Sequence, residues 1–354
     1  MTETDTSYAS YFLSTMSIVI WRSGQLLIGL TTVVLAGLYF KQDSLLYHPE
    51  IGNMPRDPAK NPRGYRSPAD YKIPFEDVQI ICDDGVKVHA WLMFGGGSAS
   101  TSVSISGVST LPTIVFFHGN AGNIGFRLPN MVHMIRRLEV NILMVEYRGY
   151  GRSDSSVSPS EAGIKLDGQA ALRFIQNHPK IDPTNIFIFG RSLGGAAAFA
   201  TAHYAQKKDN NDIIHPLKGV IVENTFTSIA DMVDALMPLV AKVKNLVLAI
   251  GWNSLEIVPS LECPILYLAG SDDEIVPHSH MLTLHKNTVK SSLNRLHVIQ
   301  YGTHNESWTQ GGETYWEAFA SFLAGALSIT NTAHSVDSAV DPTYPSSTTF
   351  KKEL

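Results

Sequence analysis

Gly190-Arg191-Ser192-Leu193-Gly194-Gly195 lies between an apolar run, Asn185–Phe189, and a run of small residues, Ala196-Ala197-Ala198. The first run predicts a buried strand and the second opens a helix. A serine on the sharp turn between them is lifted clear of the sheet edge, in a strained backbone conformation. Glycines two residues either side let strand and helix cross without a clash. A serine presented this way does nucleophilic chemistry on a carbonyl if three other parts are supplied. It needs a base to take its proton, an acid to orient the base, and N–H donors for the oxyanion.

A strand–G-x-S-x-G–helix unit is the nucleophile elbow of α/β-hydrolases, in which the acid and then the base follow in chain order. The run Pro264–Ala269 reads as a strand, followed by Gly270-Ser271-Asp272-Asp273-Glu274. A carboxylate at the C-terminal end of a parallel strand stands where open α/β sheets do their chemistry. Asp273 is the expected acid. Asp272 is read as a turn residue that uses its side chain locally, and Glu274 as a solvated charge. The run Leu296–Gln300 reads as the last strand, and His304 in the loop after it is the expected base. His297 falls inside that strand, and His278 and His280 begin a helix. For the oxyanion, one donor is the N–H of Leu193, directly after the nucleophile. The other is assigned to Asn120, in the glycine-containing loop His118-Gly119-Asn120-Ala121-Gly122-Asn123 after the strand Thr113–Phe117.

Five segments in this order resemble the Bem46 family: HGNAGN at 118–123, YRGYGRS at 147–153, GRSLGG at 190–195, DEIVP at 273–277 and GTHN at 302–305. The resemblance covers roughly residues 65–325. It implies an α/β-hydrolase fold and a serine hydrolase with Ser192, Asp273 and His304 as its triad. The wider branch is membrane-associated and includes protein depalmitoylases and lysophospholipid lipases. The depalmitoylases carry a cysteine-rich N-terminus for their own acylation. No such cluster exists here, so attachment must come another way.

The elements agree with this reading. Asp83-Asp84-Gly85 joins two strand-like runs, Val78–Cys82 and Lys87–Met93, into a hairpin. Helices are expected over Leu128–Leu138, Glu161–Asn177 and Gln310–Ala326, with strands at Asn141–Glu146 and Gly219–Glu223. Such alternation predicts a mostly parallel central sheet with helices on both faces. The hydrolase domain is expected over 71–328. Its segment 225–258 is apolar and lies where hydrolases insert lids. A lid and two helices packed on the sheet are equally compatible with it. Gly95–Gly107 reads as a flexible insertion.

Ser23–Phe40 carries no charge and is flanked by Arg22 and Lys41. Eighteen residues at about 1.5 Å each give about 27 Å, enough for a bilayer core. We expect a single-pass anchor over 23–40, a short N-terminal segment 1–22 before it, a connector over 41–70 and a disordered tail over 329–354. The ending Lys351-Lys352-Glu353-Leu354 resembles both lumenal and cytosolic retrieval signals and directs the expectation to the endoplasmic reticulum. The sequon Asn305-Glu306-Ser307 adjoins His304, where a glycan would crowd the site, which fits a cytosolic domain or an unused site in the lumen; the flanking charges do not choose between the two sides. The expected partners are the membrane and an acylated protein or lipid substrate.

Composition excludes other classes. The net charge is −5 with no basic stripe, which disfavours nucleic acid. Two cysteines, Cys82 and Cys263, read as free thiols. No metal or cofactor motif stands out, and neither group is expected. The function expected is ester or thioester hydrolysis. The alternative is a membrane scaffold on the same fold with little turnover.

Overall fold

The computed structural model describes residues 3–96, 107–207 and 212–329, with side chains from residue 11 onward. The centre of the expected insertion, the expected tail beyond residue 329 and its last four residues lie outside the described residues.

Eight strands form one sheet in the order β1-β2-β4-β3-β5-β6-β7-β8. They are β1 (Phe75–Ile81), β2 (Lys87–Met93), β3 (Thr113–Phe117), β4 (Asn141–Val145), β5 (Ile186–Arg191), β6 (Gly219–Glu223), β7 (Ile265–Gly270) and β8 (Asn294–Ile299). β1, β2 and β4 pair antiparallel, and all other neighbours are parallel. The helices are α1 (Glu3–Leu46), α2 (Leu128–Leu138), α3 (Glu161–Gln176), α4 (Leu193–Ala205), α5 (Ile229–Leu236), α6 (Pro238–Ala241), α7 (Lys244–Val247), α8 (Ser254–Ile257), α9 (Ser279–Asn287), α10 (Ser307–Gln310) and α11 (Gly312–Ser328).

Successive side chains on a strand point to opposite faces, and two cores result. Val115, Phe117 and Ile188 pack with α3 and α4 on one face. Ile114, Phe116, Phe187 and Phe189 pack with α2 and α11 on the other. Every residue of β3 to β7 is buried, which is why these strands read as continuous apolar runs rather than alternating ones. The connections from β3 and β5 depart in opposite directions, to β4 and β6. The crevice at their C-terminal ends is a topological switch point, where open α/β sheets bind ligands.

The N-terminal helix is longer than the apolar run that announces it. α1 continues through Lys41-Gln42-Asp43-Ser44, which interrupt the hydropathy without opposing helix formation. Its stretch Tyr11–Leu46 is long and apolar enough to cross a membrane and is not buried in the domain. The chain after it is packed on the domain. Tyr47 is buried, Asn61 exchanges hydrogen bonds with Asn123, and Arg56 donates to the carbonyls of Gly151 and Ser153.

Candidate active site

Ser192 sits between β5 and α4 with φ 55° and ψ −123°, a conformation that costs a non-glycine residue about 1–3 kcal/mol. The surroundings enforce it. A Cβ on Gly190 would stand 2.0 Å from the Gly194 carbonyl oxygen, and one on Gly194 would stand 2.0 Å from that of Phe117. The motif glycines are therefore fixed by backbone contact. The Ser192 N–H donates to the Glu223 carbonyl at 2.9 Å, which ties the elbow to the end of β6. Its hydroxyl makes no hydrogen bond among the described residues, and the side chain borders a cavity.

Asp273 and His304 are brought together. His304 Nδ1 lies 2.8 and 2.9 Å from the two Asp273 carboxylate oxygens, and both side chains are almost fully buried. Asp273 Oδ1 also accepts the N–H groups of Ile275 and Val276, which lock the carboxylate. Glu274 differs from expectation. It is exposed, yet its Oε2 accepts the backbone N–H of His304 at 3.0 Å, so it helps hold the base loop. Asp272 meets the side chain of its neighbour Ser271, as a turn residue does.

Asn224 joins these parts and had no motif to announce it. It follows β6 with φ 49°, a left-handed conformation that asparagine tolerates. Its amide nitrogen donates to the carbonyls of Thr303 and His304 and to Ser307 Oγ, and its oxygen accepts the Gly270 N–H. One buried side chain thus cross-links the ends of β6 and β7 to the loop that carries His304. Asn224→Ala should lower kcat by about 10²-fold through misplacement of the imidazole, with little change in KM. Asn224→Asp should do no better, since a carboxylate cannot donate to the two carbonyls. Unchanged kcat for Asn224→Ala on a chromogenic ester would remove this role.

The predicted oxyanion donors lie at the switch point. Leu193 begins α4, so its N–H has no partner within the helix. The Asn120 N–H makes no hydrogen bond among the described residues. Two tyrosines of the 147–153 segment brace this loop. Tyr147 Oη donates to the His118 carbonyl and Tyr150 Oη to that of Asn120, both at 2.8 Å. The end of α1 braces it from the other side. His48 N–H donates to the Asn120 carbonyl, and Asn120 Nδ2 donates to that of Leu46.

Beneath the loop, His118 is fully enclosed, and its Nε2 has no hydrogen-bond partner among the described residues. Burial first, and the charge of Arg127 second, push its pKa down to about 3. An unfolded imidazole, with pKa about 6.5, binds a proton that the folded one refuses throughout that interval. Stability should therefore be complete above about pH 6.5 and fall as pH drops toward 3, by up to about 1.4 kcal/mol per pH unit. His118→Phe, which keeps a ring against Tyr147 and Tyr150, should flatten thermal stability measured from pH 7.5 to 4.5. Parallel profiles for the two proteins would remove His118 as the cause.

A cavity of about 310 Å³ opens beside Ser192, Leu193 and Asn120. Its walls are otherwise almost wholly apolar. Ile229, Met232, Val233 and Leu236 of α5 form one side, so part of the 225–258 segment roofs the cavity; Ile229 and Met232 also pack against the sheet core, in which Phe226, Trp252 and Val258 of the same segment are buried. Leu38, Gln42, Leu45 and Leu46 of α1 form another.

An α/β-hydrolase is what this fold and the comparisons define. Residues 109–259 match the Serine aminopeptidase, S33 family. The chain belongs to the Bem46 family of α/β-hydrolase domain-containing proteins. It is 34% identical over 310 residues to the α/β-hydrolase domain-containing protein WAV2 of Arabidopsis thaliana, covering 83% of this chain and 92% of that one. It is 32% identical to the protein bem46 of Schizosaccharomyces pombe, covering 86% and 93%. An uncharacterized membrane protein of Saccharomyces cerevisiae is also 32% identical, covering 86% and 98%. Among solved structures, the Pyrococcus furiosus esterase Pf2001 shares the fold with a TM-score of 0.56 at 18% identity, over 79% of this chain and 97% of that one.

Proposed function

We propose that this chain is a membrane-anchored serine hydrolase that cleaves ester or thioester acyl bonds, in acylated proteins or lysolipids. The observation that carries the reading is the placement of Ser192 on the wall of an apolar cavity, together with the Asp273–His304 pair. Ser192 Oγ attacks the acyl carbonyl while His304 Nε2 takes its proton. Asp273 holds the Nδ1–H tautomer and stabilises the imidazolium. The N–H groups of Asn120 and Leu193 receive the oxyanion. His304 passes its proton to the departing alcohol or thiol. It then activates water, which releases the acid and restores the serine.

A liquid-water molecule takes about 30 Å³, so the cavity holds roughly ten groups of that size, a medium acyl chain. We assign the helix around 23–40 as the anchor, on its length and apolar composition.

The test is a substrate series on the full chain in detergent: p-nitrophenyl esters of rising acyl length, an acyl-cysteine peptide, a lysophospholipid and an aminoacyl anilide. kcat/KM should rise with acyl length to roughly ten carbons and be negligible for the anilide. A preference for acetyl or aminoacyl substrates would overturn the reading. Absence of hydrolysis across the series would favour a scaffold.

A further inference from the structure

The wall that α1 gives to the cavity is a regular helical stripe. Leu38, Gln42, Leu45 and Leu46 stand at i, i+4, i+7 and i+8, one face of an α-helix. Leu38 belongs to the uncharged run that ends at Phe40. At 1.5 Å per residue it lies about 3 Å inside that end. The cavity that borders Ser192 therefore reaches the depth at which the apolar run leaves off.

The roof is fastened at the same depth. Gln42 Oε1 accepts the N–H groups of Ala249 and Ile250 at 2.7 and 2.9 Å, and its Nε2 donates to the Tyr39 carbonyl at 2.7 Å. Gln42 is only two residues, about 3 Å of rise, beyond Phe40. Just before the fastened residues, the outer surface of the roof carries two exposed leucines, with exposed Lys242 and Asn245 between them. Leu239 is 81% exposed and Leu246 72% exposed, and neither lines the cavity. Phe40 on α1 is 78% exposed. Exposed leucines in water would be a cost, and aromatic residues favour the edge of a bilayer. A leucine-bearing roof tip, whose Lys242 can extend its ammonium to the headgroups, continuous with a helix long enough to span, has one occupant that covers both, the bilayer itself.

We infer that α6 and α7 dip into the bilayer beside α1, and that an acyl chain passes sideways from the lipid into the cavity between α1 and this roof. The inference rests on the acyl-hydrolase reading and adds the route and the surface. It makes the substrate an amphiphile already resident in the membrane rather than one delivered from water. It also makes the C-terminal turns of α1 part of the binding site as well as a tether.

The full chain, reconstituted in phosphatidylcholine vesicles, tests this in two ways. The first uses Leu239→Glu with Leu246→Glu, two exposed positions outside the cavity. Hydrolysis of p-nitrophenyl acetate from water should be unchanged. Hydrolysis of a long-chain p-nitrophenyl ester embedded in the vesicles should fall by about tenfold or more, because two lipid-facing leucines become charges at the lipid surface. Equal rates on the embedded ester would overturn the route. The second measurement needs no turnover. A polarity-sensitive fluorophore on Leu239→Cys should be quenched by spin-labelled phospholipid, with labelling of the parent chain, which has Cys82 and Cys263, as the background. An unquenched probe, or one quenched only by a second copy of the chain, would overturn lipid contact. Wild-type protein that hydrolyses neither ester while the probe is quenched would refute the hydrolase reading and leave the lipid-facing surface standing.

Discussion

Ser192→Ala should abolish ester turnover and labelling by a fluorophosphonate, with a loss of about 10⁴-fold or more in kcat, while the fold survives. The hydroxyl makes no hydrogen bond whose loss could unfold the domain, and α4 and β5 are held by the glycine contacts and by the Ser192 N–H bond to Glu223. Asp273→Asn should cost kcat about 10⁴-fold, because an amide facing Nδ1 favours the wrong imidazole tautomer. Stability separates two readings of the serine. If Ser192 is strained for chemistry, Ser192→Gly releases the φ of 55° and Ser192→Ala does not. The glycine variant, equally inactive, should then melt a few degrees above the alanine variant, at about 2–4 °C per kcal/mol for a domain of this size. Near-normal turnover by either variant would remove Ser192 as the nucleophile. Equal melting temperatures would remove the strain.

What could be read in advance divides along a physical line. The strand–serine–helix unit was legible because backbone contact at Gly190 and Gly194 admits no other residue. Chain order and strand ends pointed to Asp273 and His304, and the structure pairs them. Asn224 was not legible, since its partners are backbone groups of Gly270, Thr303 and His304, which are near it only after β6, β7 and β8 are side by side. Glu274 looked like a surface charge and is exposed, but exposure did not exclude a bond to a backbone N–H. Hydropathy located the uncharged run in α1 and missed its continuation, because it measures affinity for lipid rather than helix length. It also could not show that Gln42 would meet residues 207 positions away. The Tyr147–Ser153 segment was legible only as a pattern. Its task, bracing the carbonyls of His118 and Asn120, needs three dimensions.

Glu223→Ala should destabilise the domain by about 3–5 kcal/mol, enough to lower its melting temperature by roughly 10 °C. Arg191, the residue between the motif's first glycine and its serine, is 4% exposed, and Glu223 is fully buried. Arg191 Nε stands 3.0 Å from Glu223 Oε1 and Nη2 stands 3.1 Å from Oε2. Tyr315 Oη donates to Oε2 at 2.7 Å, and Asn130 Oδ1 accepts from Nη2. Burial is the largest influence and pushes the pKa of Arg191 down, but the charge of Glu223, Tyr315 and the hydrogen bonds to both together outweigh it and hold the pKa above its usual value. Removal of the carboxylate leaves a guanidinium in the core with only the neutral Asn130 and Tyr315 beside it, and its desolvation is then uncompensated. The double variant Arg191→Met with Glu223→Leu removes both charges and should regain most of the loss. Activity need not follow stability. The Glu223 carbonyl holds the Ser192 N–H, so a shift of β6 moves the nucleophile as well. A double variant that melts like wild type but turns over more slowly would mean that the ion pair sets the register of the elbow. A double variant as unstable as Glu223→Ala would mean that packing around Arg191, rather than its charge, is what the core requires.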